Sequence, residues 1–245
     1  MDFLRRSYQA ELIDDPAMPF AEIRKNLQEL DVINTWLGGH TISIKGIKKI
    51  LQQHAAPTEK RWHICEIGCG GGDNLRALAS WCFNNKITAT FTGVDINRNC
   101  IQYASGKNYQ QPVRFIERDY RLVEFTNNPD ILFNSLFCHH FSDEEIPEML
   151  RWMYNHSESG FFVNDLHRHP VAYHLIKFLT GIFSSSRLVK NDAPLSVRRG
   201  FKAMEWKRLL KDANTPGAKV TWEWAFRYLI VFCHRPKQLH AGGRQ

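Results

Sequence analysis

The chain has 245 residues, 23% of them charged, and a formal net charge of +7. That length suits one α/β domain with extensions and a substantial core. No run approaches the roughly 18 to 20 apolar residues of a membrane span. Met1-Asp-Phe-Leu-Arg-Arg6 has no apolar run behind its arginines, so no signal peptide is expected. Six cysteines, at 65, 69, 82, 100, 138 and 233, form no C-x-x-C and read as reduced, mostly buried thiols of a cytoplasmic protein.

The charge is uneven. Residues 1–62 hold 9 Lys/Arg against 8 Asp/Glu, 63–160 hold 8 against 12, and 161–245 hold 15 against 5. An acidic middle therefore precedes a basic final third. Such a third suits an anionic partner, but its Lys and Arg are dispersed along helix-like patterns with no basic-aromatic stripe. A solvated surface is the favoured reading, and nucleic acid is disfavoured as a partner.

In chain order, Asp15-Pro16 marks a turn. Phe20, Ile23, Leu27, Leu30 and Ile33, extended by Trp36 and Leu37, recur at helical steps until Gly38-Gly39. A second helix is expected over Ile42 to Gln53, with Pro57 in the linker that follows. Strands are expected at 64–67, 90–94, 113–117, 130–135 and 160–164, alternating with helices at 74–82, 98–106 and 143–153. This alternation predicts a doubly wound, mostly parallel sheet covered on both faces. Ser142-Asp-Glu-Glu145 fits a capping box for the helix after the fourth of these strands. Pro170 opens an apolar helical stretch to Phe183. The polar segment 184–200 reads as a lid or a long loop, with a further helix near 201–211. Alternating Trp222, Trp224, Phe226, Tyr228 and Ile230 predict one or two closing strands within 221–232, and the tail from Lys237 is expected to fray. The expected organisation is a helical cap over 1–57, a domain over 58–236 with a helical lid or insertion at 170–211, and a disordered tail over 237–245.

The most informative string is His63-Ile-Cys-Glu-Ile-Gly-Cys-Gly-Gly-Gly-Asp73, followed by Phe91-Thr-Gly-Val-Asp95. A strand, a glycine turn and a helix bring bare backbone N–H groups to a ligand. A carboxylate ending the next strand lands beside that turn, where it can accept ribose hydroxyls. The glycines are spaced G-x-G-x-G, not G-x-G-x-x-G/A, and Asp73 would repel a pyrophosphate at the helix N-terminus. A dinucleotide-dependent dehydrogenase is therefore disfavoured.

Glu66-Ile-Gly-Cys-Gly-Gly-Gly-Asp73 resembles the first motif of class I S-adenosylmethionine (SAM) methyltransferases, and Gly93-Val-Asp95 their second. The resemblance covers about 62–165 and implies their Rossmann-like, seven-stranded fold. It implies that Gly68 and Gly70 admit the methionine end of SAM, with Glu66 fixing the turn or reaching its amino group. Asp95 would hold the ribose, Ile96 would pack on adenine, and Asp119-Tyr120 would meet the adenine amino group. Asn134 would face the methionine portion. Ser135-Leu-Phe-Cys-His-His-Phe-Ser-Asp-Glu-Glu145 resembles a segment of small-molecule methyltransferases, including the ubiquinone and menaquinone C-methylases.

Methyl transfer is an in-line displacement, dominated by orientation, with a base needed for a hydroxyl or an acidic carbon. His139 and His140 are candidates for that base. Asp165 and His167, projecting to one side of an extended strand, form a second carboxylate–histidine candidate. No tight metal-ligand motif is present, and no metal is expected. Leu12-Ile-Asp-Asp-Pro16, Asn34-Thr-Trp-Leu-Gly-Gly-His40, Asp165-Leu-His-Arg-His-Pro170 and Asn191-Asp-Ala-Pro-Leu-Ser-Val-Arg198 resemble a narrower bacterial set, associated with type III polyketide synthases and pigment pathways. That likeness implies a small aromatic or polyketide-like acceptor, methylated on oxygen or carbon, in a pocket roofed by the first helices and the 170–200 segment, with Tyr173, Phe178 and Phe183 as candidate lining. No membrane partner is expected. The alternatives are an RNA or protein methyltransferase using the basic third, and a non-catalytic SAM-binding protein; the oligomeric state is open.

Overall fold

A computed structural model describes residues 2–15, 17–54 and 60–235. Pro16, the Pro57 linker and the expected tail at 237–245 lie outside the described residues. Helices α1 (Phe20–Trp36) and α2 (Gly39–Gln53) precede β1 (Trp62–Ile67), α3 (Asp73–Asn84), β2 (Ala89–Asp95), α4 (Arg98–Ser105) and β3 (Val113–Glu117). Then come β4 (Ile131–Ser135), α5 (Glu145–His156), β5 (Gly160–Leu166), α6 (Pro170–Phe183), α7 (Arg187–Arg199), α8 (Ala203–Asp212), β6 (Lys219–Glu223) and β7 (Arg227–Cys233).

The sheet order is β3-β2-β1-β4-β5-β7-β6. Strands β1 to β5 pair in parallel, whereas β7 pairs antiparallel with both β5 and β6. The sheet is thus mixed: parallel over β1 to β5, within the mostly parallel expectation, and antiparallel at one edge. The physical reason is the short link between β6 and β7, which can close a hairpin but cannot carry the crossover a parallel pair needs.

Strand alternation divides the core. Ile64, Phe91, Ile131, Phe133, Phe162 and Leu229 meet α2 and α3 on one face. Cys65, Leu132, Phe161, Val163, Ile230 and Phe232 meet α5 and α8 on the other. The capping box forms as read: Ser142 N–H donates to Glu145 Oε2 at 2.9 Å, and Glu145 N–H to Ser142 Oγ at 3.3 Å.

Residues 187–199 are a helix, not a long loop. Ser186 caps α7 through Val189 N–H, and the helix buries Asp192 and Arg199 beside Leu188, Val189, Leu195 and Val197. Those two charges hid the apolar stripe. They are buried because they hold the N-terminal segment: Asp192 accepts Leu12 and Ile13 N–H at 2.9 and 3.0 Å, and Arg199 donates to Gln9 O at 2.8 Å. Arg168, 1% exposed, likewise donates to Phe3 O, Leu4 O and Gly200 O and pairs with Glu205. Three arginines of the basic last third, Arg168, Arg199 and Arg227, are therefore buried inside the fold.

The helix–sheet spacing at α2 rests on Gly46, where a Cβ would come within 2.6 Å of the Phe162 ring, itself stacked on Phe133. Gly46→Ala is expected to lower stability by about 1–3 kcal/mol through overpacking, read as a reduced urea midpoint at unchanged m-value.

Candidate active site

A cavity of about 370 Å³ lies at the carboxyl ends of β1, β2 and β4, roofed by the N-terminal segment, α1 and α7. This crevice arises where chain connections leave β1 in opposite directions, toward β2 and toward β4. Its floor is the glycine turn. Gly68 and Gly70 hold φ of +66° and +48°, a region costly for side-chain-bearing residues. A Cβ on Gly68 would collide with the Phe137 ring at 2.1 Å, whereas one on Gly70 would meet nothing nearer than Leu27 at 3.8 Å. The backbone at Gly70 thus stands open to a ligand.

Asp95 lies beside this turn. Its Oδ2 accepts Gly70 N–H at 2.8 Å and its Oδ1 accepts Asn97 N–H at 2.8 Å. Burial raises its pKa, opposed by these two backbone bonds. Glu66 is fully enclosed, and burial, reinforced by Asp73 and Asp95, holds its carboxyl well above the usual range. Glu66 Oε2 and Ser135 Oγ are buried without a hydrogen-bond partner among the described residues. An open glycine backbone and an orphaned carboxylate oxygen fit a ligand that brings a cation and hydroxyl groups, as SAM does. Ile96, 72% exposed, stands at the cavity edge.

Three expected cofactor residues are placed elsewhere. Asn134 shares the strand parity of Leu132, so its amide turns under α5, 3.5 Å from Met153 Sδ, and accepts from Cys138 Sγ. The next residues, Ser135 and Leu136, reach the cavity instead, and Leu136 is held at φ +55°, a strained conformation of the kind that collects at functional sites. Asp119 caps the turn Tyr120–Leu122 and clasps Arg121 at 2.5 Å. Tyr120 is buried, edge-on to Phe137, Phe141 and Trp152. None of the three lines the cavity.

The expected Asp165–His167 pair does not form. Asp165, at 0% exposure, lies 2.8 Å from His139 Nδ1 and accepts His139 N–H at 3.2 Å. The pair joins the end of β5 to the turn after β4, a contact between neighbouring strands that along-chain spacing does not show. His167 receives Trp222 Nε1–H at 3.2 Å and packs on Tyr228. Burial, with His169, Arg168 and Lys202 adding to it, lowers its pKa to about 4, and it does not line the cavity.

Glu11 stands 3.5 Å from His139 Nε2 and 3.9 Å from His140 Nε2, and Asp14 lies 3.2 Å from His140 Nδ1. Ser196 Oγ–H donates to Glu11 Oε1 at 2.8 Å. Burial alone would depress His139, but Asp165 and Glu11 override it and push its pKa to about 9. Glu11, His139 and His140 could together hold a cation, yet carboxylate–histidine pairing already accounts for the cluster.

A second set joins the cap to the glycine turn: Asp73 Oδ2 lies 2.8 Å from His40 Nε2 and accepts Asn34 Nδ2–H at 3.3 Å. Composition and periodicity did not single out Glu11, Asp14, Asn34, His40 or Ser196. Four of these five lie within the flanking strings quoted above, whose segments converge on the cavity roof. Glu11, one residue before its string, carried no signal.

A family model described as a methyltransferase domain matches residues 64–160. No curated protein sequence matches the chain. Among solved structures it is similar to the plantazolicin methyltransferase BpumL bound to a pentazolic desmethylPZN analog and SAH, at 14% identity and TM-score 0.62, covering 87% of this chain and 97% of that one. It is also similar to human N-acetylserotonin methyltransferase in complex with SAM, at 16% identity and TM-score 0.59, covering 89% of this chain and 57% of that one. A putative O-methyltransferase from Nostoc punctiforme matches at 15% identity and TM-score 0.52, over 77% of this chain and 56% of that one. At these identities the likeness is one of fold.

Asp95→Ala is expected to weaken S-adenosylhomocysteine (SAH) binding by about 10–100-fold, the loss of one or two charge-assisted hydrogen bonds, measured by isothermal titration. His139 yields a stability prediction as well. Its folded pKa of about 9 exceeds the ordinary 6.5, so its contribution is complete below about pH 6.5 and is lost as pH rises through 9. The melting temperature is expected to fall between pH 7 and 9.5, and to fall less in His139→Gln.

Over residues 64–160 the chain thus matches a methyltransferase domain.

Proposed function

We propose that the chain methylates a small, aromatic or polyketide-like acceptor on oxygen or carbon, with His139 as the base. The observation that carries this is the placement of His139. It lines the glycine-turn cavity and is oriented by Asp165, and that cavity shares walls with a separate apolar chamber. SAM, when bound, would supply a sulfonium methyl for in-line transfer to the acceptor nucleophile, with the sulfur leaving as the thioether of SAH.

The chain's own residues then have distinct tasks. Gly68 and Gly70 bring backbone close to the cofactor, Asp95 takes ribose hydroxyls, and Glu66 faces the cationic end. Asp165 fixes the His139 ring through Nδ1, so Nε2 is the atom that would take a proton from an acceptor hydroxyl or carbon. Glu11, near that nitrogen, must yield its place to the acceptor. The adjoining chamber is lined by Leu30 and Ile33 of α1, Leu37 just past its end, Ile176 and Leu179 of α6, and Val197 of α7, among others. Such walls favour an apolar body. Of the basic last third, Arg168, Arg199 and Arg227 are buried and could not meet RNA phosphates.

Incubation with labelled SAM and an acceptor panel of phenols, resorcinols and activated carbon acids is expected to yield a labelled product, identified by mass. Tight SAH binding with no turnover on any of the panel would instead favour a non-catalytic SAM binder. With a turned-over acceptor, the rate is expected to climb with pH toward about 9, since the His139 imidazolium must first lose its proton. His139→Gln is expected to reduce kcat by about 100-fold or more and to flatten that rise. An unchanged profile would remove His139 from the role.

A further inference from the structure

Arg227, the first residue of β7, is 3% exposed and lines the apolar chamber. Its guanidinium has five N–H donors. Among the described residues its hydrogen bonds go to two neutral amide oxygens, Asn34 Oδ1 at 2.8 Å and Asn164 Oδ1 at 3.5 Å. Among the described residues no carboxylate lies within ion-pair distance of it; the two acids whose charge reaches it, Asp165 and Asp73, are already engaged by His139 and His40. Room for the guanidinium is made by Gly39, where a Cβ would stand 3.0 Å from Nη2. A buried cation without an anion is costly, and the cost is relieved when a carboxylate arrives. Burial depresses its pKa to about 10, against the opposing but more distant charges of Asp165 and Asp73.

Two further facts give this cation a context. Leu30, Asn34, Leu136, Leu166, Ala193 and Ser196 line both the chamber and the glycine-turn cavity, so the two spaces adjoin. On its other side, the chamber shares Ile33, Leu37, Ile176 and Leu179 with a larger trough of about 410 Å³ between α1 and α6. That trough opens at Trp36 and Phe183, which are 77% and 70% exposed.

We infer that the acceptor is an amphiphilic aromatic acid, its carboxylate held by Arg227 and its apolar tail lying in the α1–α6 trough. This deepens the proposed function and rests on it for the identity of the reaction. The buried guanidinium selects the head group by offering a bidentate fork that water cannot replace in an apolar chamber. The trough selects the tail by area. Together they set the ring between the surface and the methyl donor.

The full chain would be titrated calorimetrically with benzoate, para-octylbenzoate and the neutral para-octylbenzyl alcohol, with and without SAH. Wild-type protein is expected to bind octylbenzoate at least about tenfold more tightly than the alcohol, and more tightly than benzoate. Arg227→Met should bring acid and alcohol within about twofold, and Arg227→Lys should keep part of the preference. Leu179→Asp should weaken octylbenzoate far more than benzoate. Equal wild-type binding of acid and alcohol would overturn the inference without reliance on any variant, and so would an acid preference that survives Arg227→Met. SAH binding is read in a separate titration, so a failure of the cofactor reading is distinguishable from a failure of this one.

Discussion

The contact between His139 and Asp165 is the one on which the site depends. It places a charged imidazole, 3% exposed, between two carboxylates drawn from distant parts of the chain, Asp165 at the end of β5 and Glu11 in the N-terminal segment. Burying three ionisable groups is tolerable only if each has its partner. The contact therefore requires the turn after β4, the end of β5 and the segment around Glu11 to be in place together. Arg199 and Arg6 complete the requirement by donating to the His139 carbonyl at 3.0 and 3.3 Å.

The same logic organises the roof. The N-terminal segment has little regular structure beyond one 3-10 turn, Leu12–Asp14. It is held instead by Asp192, Arg199 and Arg168, each offering charged groups to its backbone. Charge-assisted bonds to backbone carry more than neutral ones, and here they substitute for a helix. The cost is that α7 cannot be a detachable ornament: Asp192 lines the cavity and also holds its cover.

Much of the core was legible because two periods run cleanly through it. β3 and α6 start and stop where the apolar pattern and Pro170 say they should, and the glycine turn is a local property of five residues. What was not legible has a common cause. Asn134 was expected at the cavity, but strand parity turns it under α5 and leaves Ser135 and Leu136 to face the site. The 184–200 segment seemed loop-like because its buried Asp192 and Arg199 interrupt the apolar stripe. Asp165 has a histidine two residues away in the chain, but its partner, His139, sits on the turn after the neighbouring strand β4.

The sequence by itself determined the α/β alternation, the glycine turn with Asp95 beside it, and so the class of cofactor. These depend on residues close in the chain, where backbone geometry and periodicity act directly. Only the tertiary structure decided which histidine meets which carboxylate, that Glu11 closes over them, and that Arg227 stands buried with amides for company. Those pairings join residues 26 to 193 positions apart. They are set by strand order and helix packing, which no local pattern encodes.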